Sequence, residues 1–114
     1  MPDSLDLSPD DVKLVTLARS ARARNNAAEG AAVRDDTGRT YVGTSVDLAS
    51  LTLSALQAAV VIAVASGADA LEAAALVSAD VSARTADLAI VADLSPAAPI
   101  MLATLDGSVH RVIG

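Results

Sequence analysis

The sequence predicts one α/β domain with its elements in the order αββαβαββ. The chain has 114 residues, which is enough for a single core and too few for two. Apolar residues make up 53% of it and charged residues 19%, so its composition is unlike that of disordered proteins. Helix-spaced apolar segments alternate with short apolar segments at glycine-containing turns. We expect a flexible tail at residues 1–7 and one domain at residues 8–114.

The first helix is predicted at residues 9–24. Ser8 is a suitable N-cap, Pro9 suits the first helical position, and acidic residues follow in the first turn. Segments 29–34 and 39–46 then flank an Asp-Asp-Thr-Gly turn, which predicts a β-hairpin.

The second helix is predicted from Thr52 to Ser66, inside a stretch without charge at residues 48–68, and Gly67 is a typical residue after a helix end. The length of this stretch also allows a membrane span. Its five polar residues, and the absence of flanking basic or aromatic residues, argue against a span. We therefore expect a buried helix and no membrane association.

The rest of the chain predicts a strand, a helix and a second hairpin. The short apolar segment 73–79 is typical of an interior strand. Ser82 is predicted to cap a helix that ends near Leu94. Segments 99–104 and 108–113 flank a Leu-Asp-Gly turn and predict the closing hairpin.

Composition excludes several classes of function. The chain has no cysteine, which rules out disulfides, thiolate ligands and cysteine nucleophiles. Its net charge of −6 and its single aromatic residue, Tyr41, make nucleic acid an unlikely partner. The acidic first residues do not resemble a signal peptide, so we expect a cytoplasmic protein.

Several segments, in order and with almost no gaps, resemble the small cytidine deaminases. Residues 29–33 (EGAAV), 36–43 (DTGRTYVG) and 45–50 (SVDLAS) are similar to the family's VGAAL strand, DG turn and G-x-NVENAS stretch. The likeness runs from about Arg19 to the C-terminus. It implies an αβα sandwich with a mixed five-stranded sheet, and assembly into a homodimer or homotetramer.

The resemblance also implies that the functional residues are missing. The family's Cys-Ala-Glu, with a zinc-binding cysteine and a proton-shuttling glutamate, corresponds to Ser54, Ala55 and Leu56. Its Pro-Cys-x-x-Cys corresponds to residues 83–87, which puts Arg84 and Asp87 at the other two ligand positions. The family's ribose-contacting positions correspond to Ala27, Ser45 and Asp47, which together with Ser54, Leu56, Arg84 and Asp87 form the vestigial pocket positions.

These replacements predict a protein without metal, cofactor or catalytic residues, because a serine, an arginine and one aspartate do not make a zinc site. Arg84 and Asp87 are three residues apart and can pair on a helix, or remain a solvated pair. The single histidine, His110, is expected to face solvent.

The leading interpretation is a non-catalytic, deaminase-like protein that acts by binding or assembly, with no ligand identified. One alternative is a module that still binds a nucleoside or pyrimidine. Another is an enzyme of different, metal-free chemistry.

Overall fold

A computed structural model describes residues 7–80 and 82–114 of the chain. Within them, three helices and seven strands follow one another: α1 (Pro9–Asn25), β1 (Gly30–Asp35), β2 (Thr40–Thr44), β3 (Val46–Asp47), β4 (Thr52–Leu53), α2 (Ala55–Ala65), β5 (Leu71–Val77), α3 (Thr85–Leu94), β6 (Ile100–Ala103) and β7 (Val109–Ile113). Apart from the two-residue strands β3 and β4, this is the predicted order of elements.

Five strands form the main sheet in the order β2-β1-β5-β6-β7. Strand β1 is antiparallel to both β2 and β5, β5 is parallel to β6, and β6 is antiparallel to β7. The sheet is therefore mixed, as predicted. The strands β3 and β4 pair only with each other, as a separate antiparallel ribbon.

The helices cover both faces of the sheet. On one face, α1 packs its buried side chains Leu14, Val15 and Ala18 against β1, β5 and β6. On the other face, α2 and α3 pack against the alternate residues of the same strands. Because successive strand residues point to opposite faces, each interior strand contributes to both cores and is apolar almost throughout. The predicted αβα sandwich is confirmed.

The first helix begins as predicted, at Pro9. The Ser8 hydroxyl accepts a hydrogen bond from the backbone N–H of Asp11 at 3.1 Å, which is the expected N-cap. The helix ends at Asn25, and Asn26 adopts a left-handed conformation with φ of 48°. Of the tail predicted at residues 1–7, all but Leu7 lies outside the described residues, and Leu7 packs against the core beneath α1.

The second helix is shorter than predicted. Thr52 and Leu53 pair with residues of β3 instead of entering the helix, because Ser54 caps it in an extended conformation. Its small residues Ala55, Ala58, Ala59 and Ala63 are all buried within the chain and are not available to a helix of a second copy. Its exposed apolar residues are Val61, Ile62 and Val64, at 44% to 50% exposure.

The remaining boundaries differ by one or two residues. The interior strand is Leu71–Val77 rather than 73–79, and beyond its end the Ser78 hydroxyl donates to Glu29 and accepts from the backbone N–H of Asp80. The closing hairpin consists of β6 and β7, and His110 is exposed on β7 as expected. In residues 7–80 and 82–114, no helix combines the length and apolar character that crossing a membrane requires.

Candidate functional site

A cavity of ≈ 700 Å³ opens at the end of the sheet where β1 begins and β2 and β5 end. The β3–β4 ribbon forms one wall, and the first residues of α2 and α3 form another. Its polar lining consists of Glu29, Ser45, Asp47, Thr52, Ser54, Ser78, Asp80, Arg84 and Asp87. Such a volume is in the range of small-molecule sites.

Ser54 lies at the start of α2 and is held there by a capping box. Its hydroxyl accepts a hydrogen bond from the Gln57 backbone N–H at 3.1 Å, and the Gln57 side-chain oxygen accepts one from the Ser54 N–H at 2.9 Å. The same hydroxyl donates to Oδ1 of Asp87 at 2.5 Å. The first turns of α2 and α3 are thus joined through their side chains.

The third helix begins at Thr85 with Arg84 as its N-cap, so the prediction that Ser82 caps it is wrong. Ser82 instead donates from its backbone N–H and its hydroxyl to the carboxylate of Asp80, at 3.0 and 2.7 Å. These hydrogen bonds lower the pKa of Asp80 below its usual value. They complete a turn before the helix, which moves its start to Thr85.

Arg84 and Asp87 form an ion pair, with Nη2 of Arg84 3.1 Å from Oδ2 of Asp87. Arg84 Nη2 also donates to Oε2 of Glu29 at 2.5 Å, and Ser78 donates its hydroxyl to the same Glu29 oxygen at 2.9 Å. The hydrogen bond to Glu29, reinforced by the negative charges of Asp87 and Glu29, raises the pKa of Arg84. The guanidinium therefore stays charged at this position.

Five of the seven vestigial pocket positions lie at the cavity: Ser45, Asp47, Ser54, Arg84 and Asp87. Ala27 and Leu56 are not among the lining residues. Leu56 is fully buried and belongs to the core between α2 and the sheet, because the helix turns this residue away from the cavity.

Four polar cavity residues were not singled out from the sequence as site residues: Glu29, Thr52, Ser78 and Asp80. Glu29 was interpreted only as the beginning of a strand. The signal for its role was an acidic residue directly before a run of buried strand residues, where a carboxylate requires a partner. The residue that provides one, Arg84, is 55 positions further along the chain.

The three residues at the family's zinc-ligand positions do not fit a zinc ion. Ser54 is a neutral hydroxyl already bound to a carboxylate, and Arg84 is a cation. Asp87 is the one anionic oxygen donor of the three. In the described part of the chain, moreover, no three histidine, cysteine, aspartate or glutamate side chains cluster as metal ligands do.

The three-layer fold defines the protein as an α/β sandwich, and the cavity between two helix starts lies at the end of its sheet. A protein-family model described as cytidine deaminase-like matches residues 7–107. The chain therefore belongs to the cytidine deaminase-like family.

Several solved structures share the fold of this chain. The cytidine deaminase from Burkholderia pseudomallei is 24% identical, with 90% of each chain covered and a TM-score of 0.78. The cytidine deaminase from Mycobacterium tuberculosis is 24% identical, with 91% of each chain covered and a TM-score of 0.69. That from Mycobacterium leprae is 23% identical, with a TM-score of 0.69 over 92% of this chain and 93% of the other. At these identities the likeness shows the fold. Comparison with curated protein sequences gives no match.

Proposed function

We propose that the chain is a non-catalytic member of its family that acts by binding or by assembly. The observation that carries this proposal is the guanidinium of Arg84, which lies in the cavity at one of the three ligand positions and is paired with Glu29 and Asp87. A fixed positive charge disfavours a second cation at the same place, by Coulomb repulsion.

The loss of a proton-transfer group supports the same proposal. Zinc-dependent deamination needs a metal-activated water and a glutamate that moves protons to and from the base. The position of that glutamate is Leu56, whose side chain has no ionisable group and is fully buried. The family's proton-transfer position therefore carries no group that can move a proton.

We expect that the protein leaves cytidine and deoxycytidine unchanged, also when zinc is supplied in the assay. The measurement is the loss of absorbance that accompanies conversion of cytidine to uridine, with an active cytidine deaminase as the positive control. Uridine formation in proportion to the amount of this protein would show that the cavity performs the reaction with other residues.

A second candidate is a binding module for a nucleoside or pyrimidine. The ≈ 700 Å³ cavity favours it, since Ser45 and Asp47 line it and offer hydroxyl and carboxylate groups to a ligand. Titration with cytidine, uridine and their bases, followed by thermal unfolding, separates this candidate from a protein that acts by assembly alone. A saturable rise in Tm supports the binding module.

We further propose that the chain assembles as a homodimer or homotetramer through the outer face of α2. Val61, Ile62 and Val64 place three exposed branched side chains within about one turn of α2. An apolar groove of ≈ 380 Å³ continues this face toward Ile90 and Leu94 of α3. Burial of such a face against a second copy removes apolar surface from water.

Light scattering after size exclusion is expected to give at least twice the 11.4 kDa mass of one chain. Ile62→Glu is expected to reduce that mass, because it places a charge on the proposed interface. Val12→Glu, at a residue of similar exposure on α1, is the matched control and should leave the mass unchanged. A monomer at micromolar concentration would contradict assembly.

A further inference from the structure

The residues around Arg84 connect four separate parts of the fold. Glu29 precedes β1, Ser78 follows β5, Ser54 caps α2, and Arg84 and Asp87 begin α3. We call these five residues the Arg84 cluster. We propose that its guanidinium is a built-in cation that replaces a metal ion structurally, holding this end of the sheet and the starts of both helices together.

The burial of the two carboxylates makes such a cation necessary. The side chains of Glu29 and Asp87 are 9% and 4% exposed, and each is 2.5 to 3.1 Å from Arg84 Nη2. An ionised carboxylate removed from water is costly unless it is paired and hydrogen-bonded. Ser78 and Ser54 supply one hydrogen bond to each carboxylate, but a hydroxyl supplies no charge.

Arg84 is also the sole basic side chain among the described residues that line the cavity, where four carboxylates are present. Asp47 and Asp80 bring the other two negative charges. Removal of Arg84 therefore leaves a buried pair of like charges without a cation among the described residues that line the cavity, and repulsion between them opposes the approach of α3 to β1.

This inference deepens the proposed function, because it explains how the fold is held at the place where the ligand set does not suit a metal. A metal ion is bound reversibly, whereas the guanidinium is part of the chain. The domain is then stable without any exchangeable ion. The stability of the domain and its catalytic activity are measured in separate experiments. Catalysis by the protein would contradict the proposed function, but it would not contradict the structural role of the Arg84 cluster.

Arg84→Met is expected to lower the Tm by about 10 °C, because it leaves the buried carboxylates of Glu29 and Asp87 without their partly exposed cation, and each kcal/mol moves the Tm of a small domain by several degrees. Arg84→Lys keeps the charge and is expected to lose less. Arg111→Met, at an exposed arginine on β7, is the control for loss of a surface arginine and should change the Tm by a few degrees at most. A chelator should leave the wild-type Tm unchanged.

The variant Glu29→Gln with Arg84→Met and Asp87→Asn separates charge compensation from packing. It removes all three charges and keeps acceptors for Ser78 and Ser54, so its Tm is expected to lie well above that of Arg84→Met alone. If Arg84→Met does not fold, a triple variant that does fold still supports charge compensation. A triple variant no more stable than Arg84→Met, an Arg84→Met variant as stable as Arg111→Met, or a wild-type Tm that falls with chelator would each overturn the proposal.

Discussion

Leu56→Glu is expected to destabilise the domain by about 3 kcal/mol or more, and not to restore deamination, because it removes a buried apolar side chain and puts a carboxyl among apolar neighbours. Leu56 is fully buried, in the core cluster that includes Val33, Val60 and Val91. The substitution restores a glutamate at the family's position, but its side chain would lie among the apolar residues of the core. Chemical denaturation of the variant and the wild type measures the difference.

The pH dependence of this effect identifies its cause. Desolvation raises the pKa of the introduced carboxyl in the folded state above its unfolded value of about 4.3. The folded state therefore binds the proton more tightly, and the destabilisation is smallest below pH about 4 and grows as the pH rises toward neutrality. Leu56→Met is the control, with an expected cost below about 1.5 kcal/mol and no such pH dependence. A stable, pH-independent Leu56→Glu variant would mean that this position faces water.

Gly43→Ala is expected to destabilise the domain by about 3 kcal/mol, which is large for the addition of one methyl group. A Cβ atom on Gly43 would lie 2.5 Å from the backbone nitrogen of Ala59 and 2.9 Å from the backbone oxygen of Ala55. These are atoms of the α2 backbone, so no side-chain rotation relieves the overlap, and α2 must move away from β2. Loss of packing between this helix and the sheet follows.

Gly38→Ala provides the matched control for Gly43→Ala. Gly38 has a positive φ of 89° but nothing within 4 Å of its missing Cβ, so the control contains backbone strain without a collision. Its expected cost is about 1 kcal/mol. Thermal or denaturant unfolding of both variants compares the two effects, and equal losses would contradict the argument that close approach of α2 requires Gly43.

The long elements were predictable from the sequence because their signals are local. Ser8 and Pro9 begin α1 through contacts within one turn, and the glycine turns define both hairpins. The β3–β4 ribbon was not predictable, because strands of two residues are too short to show a periodic pattern. Val46 and Leu53 come to lie opposite each other only in the folded chain. The start of α3 was predicted too early, because a serine can cap a helix or bond to a neighbouring side chain. Ser82 forms its hydrogen bonds with Asp80.

The site was predictable in part, for a related reason. The order of family-like segments indicates that Ser54, Arg84 and Asp87 occupy equivalent positions, and the structure brings their side chains into one hydrogen-bonded group. The pairing of Arg84 with Glu29 spans 55 residues and has no counterpart in any local pattern. The outward-facing residues of α2 were likewise not separable from its buried ones, because the helix is apolar on every side and the sequence contains no charged stripe.

We propose that this member of the cytidine deaminase-like family has an ion pair at the family's metal-ligand positions, and this proposal can be tested on the metal content itself. Its most direct test is elemental analysis of zinc in the preparation used for the deamination assay, after expression in zinc-supplemented medium and removal of loosely bound ions. We expect no stoichiometric zinc, because Ser54 and Arg84 are unsuited as ligands and Asp87 is already paired. One zinc per chain that survives this treatment would contradict it.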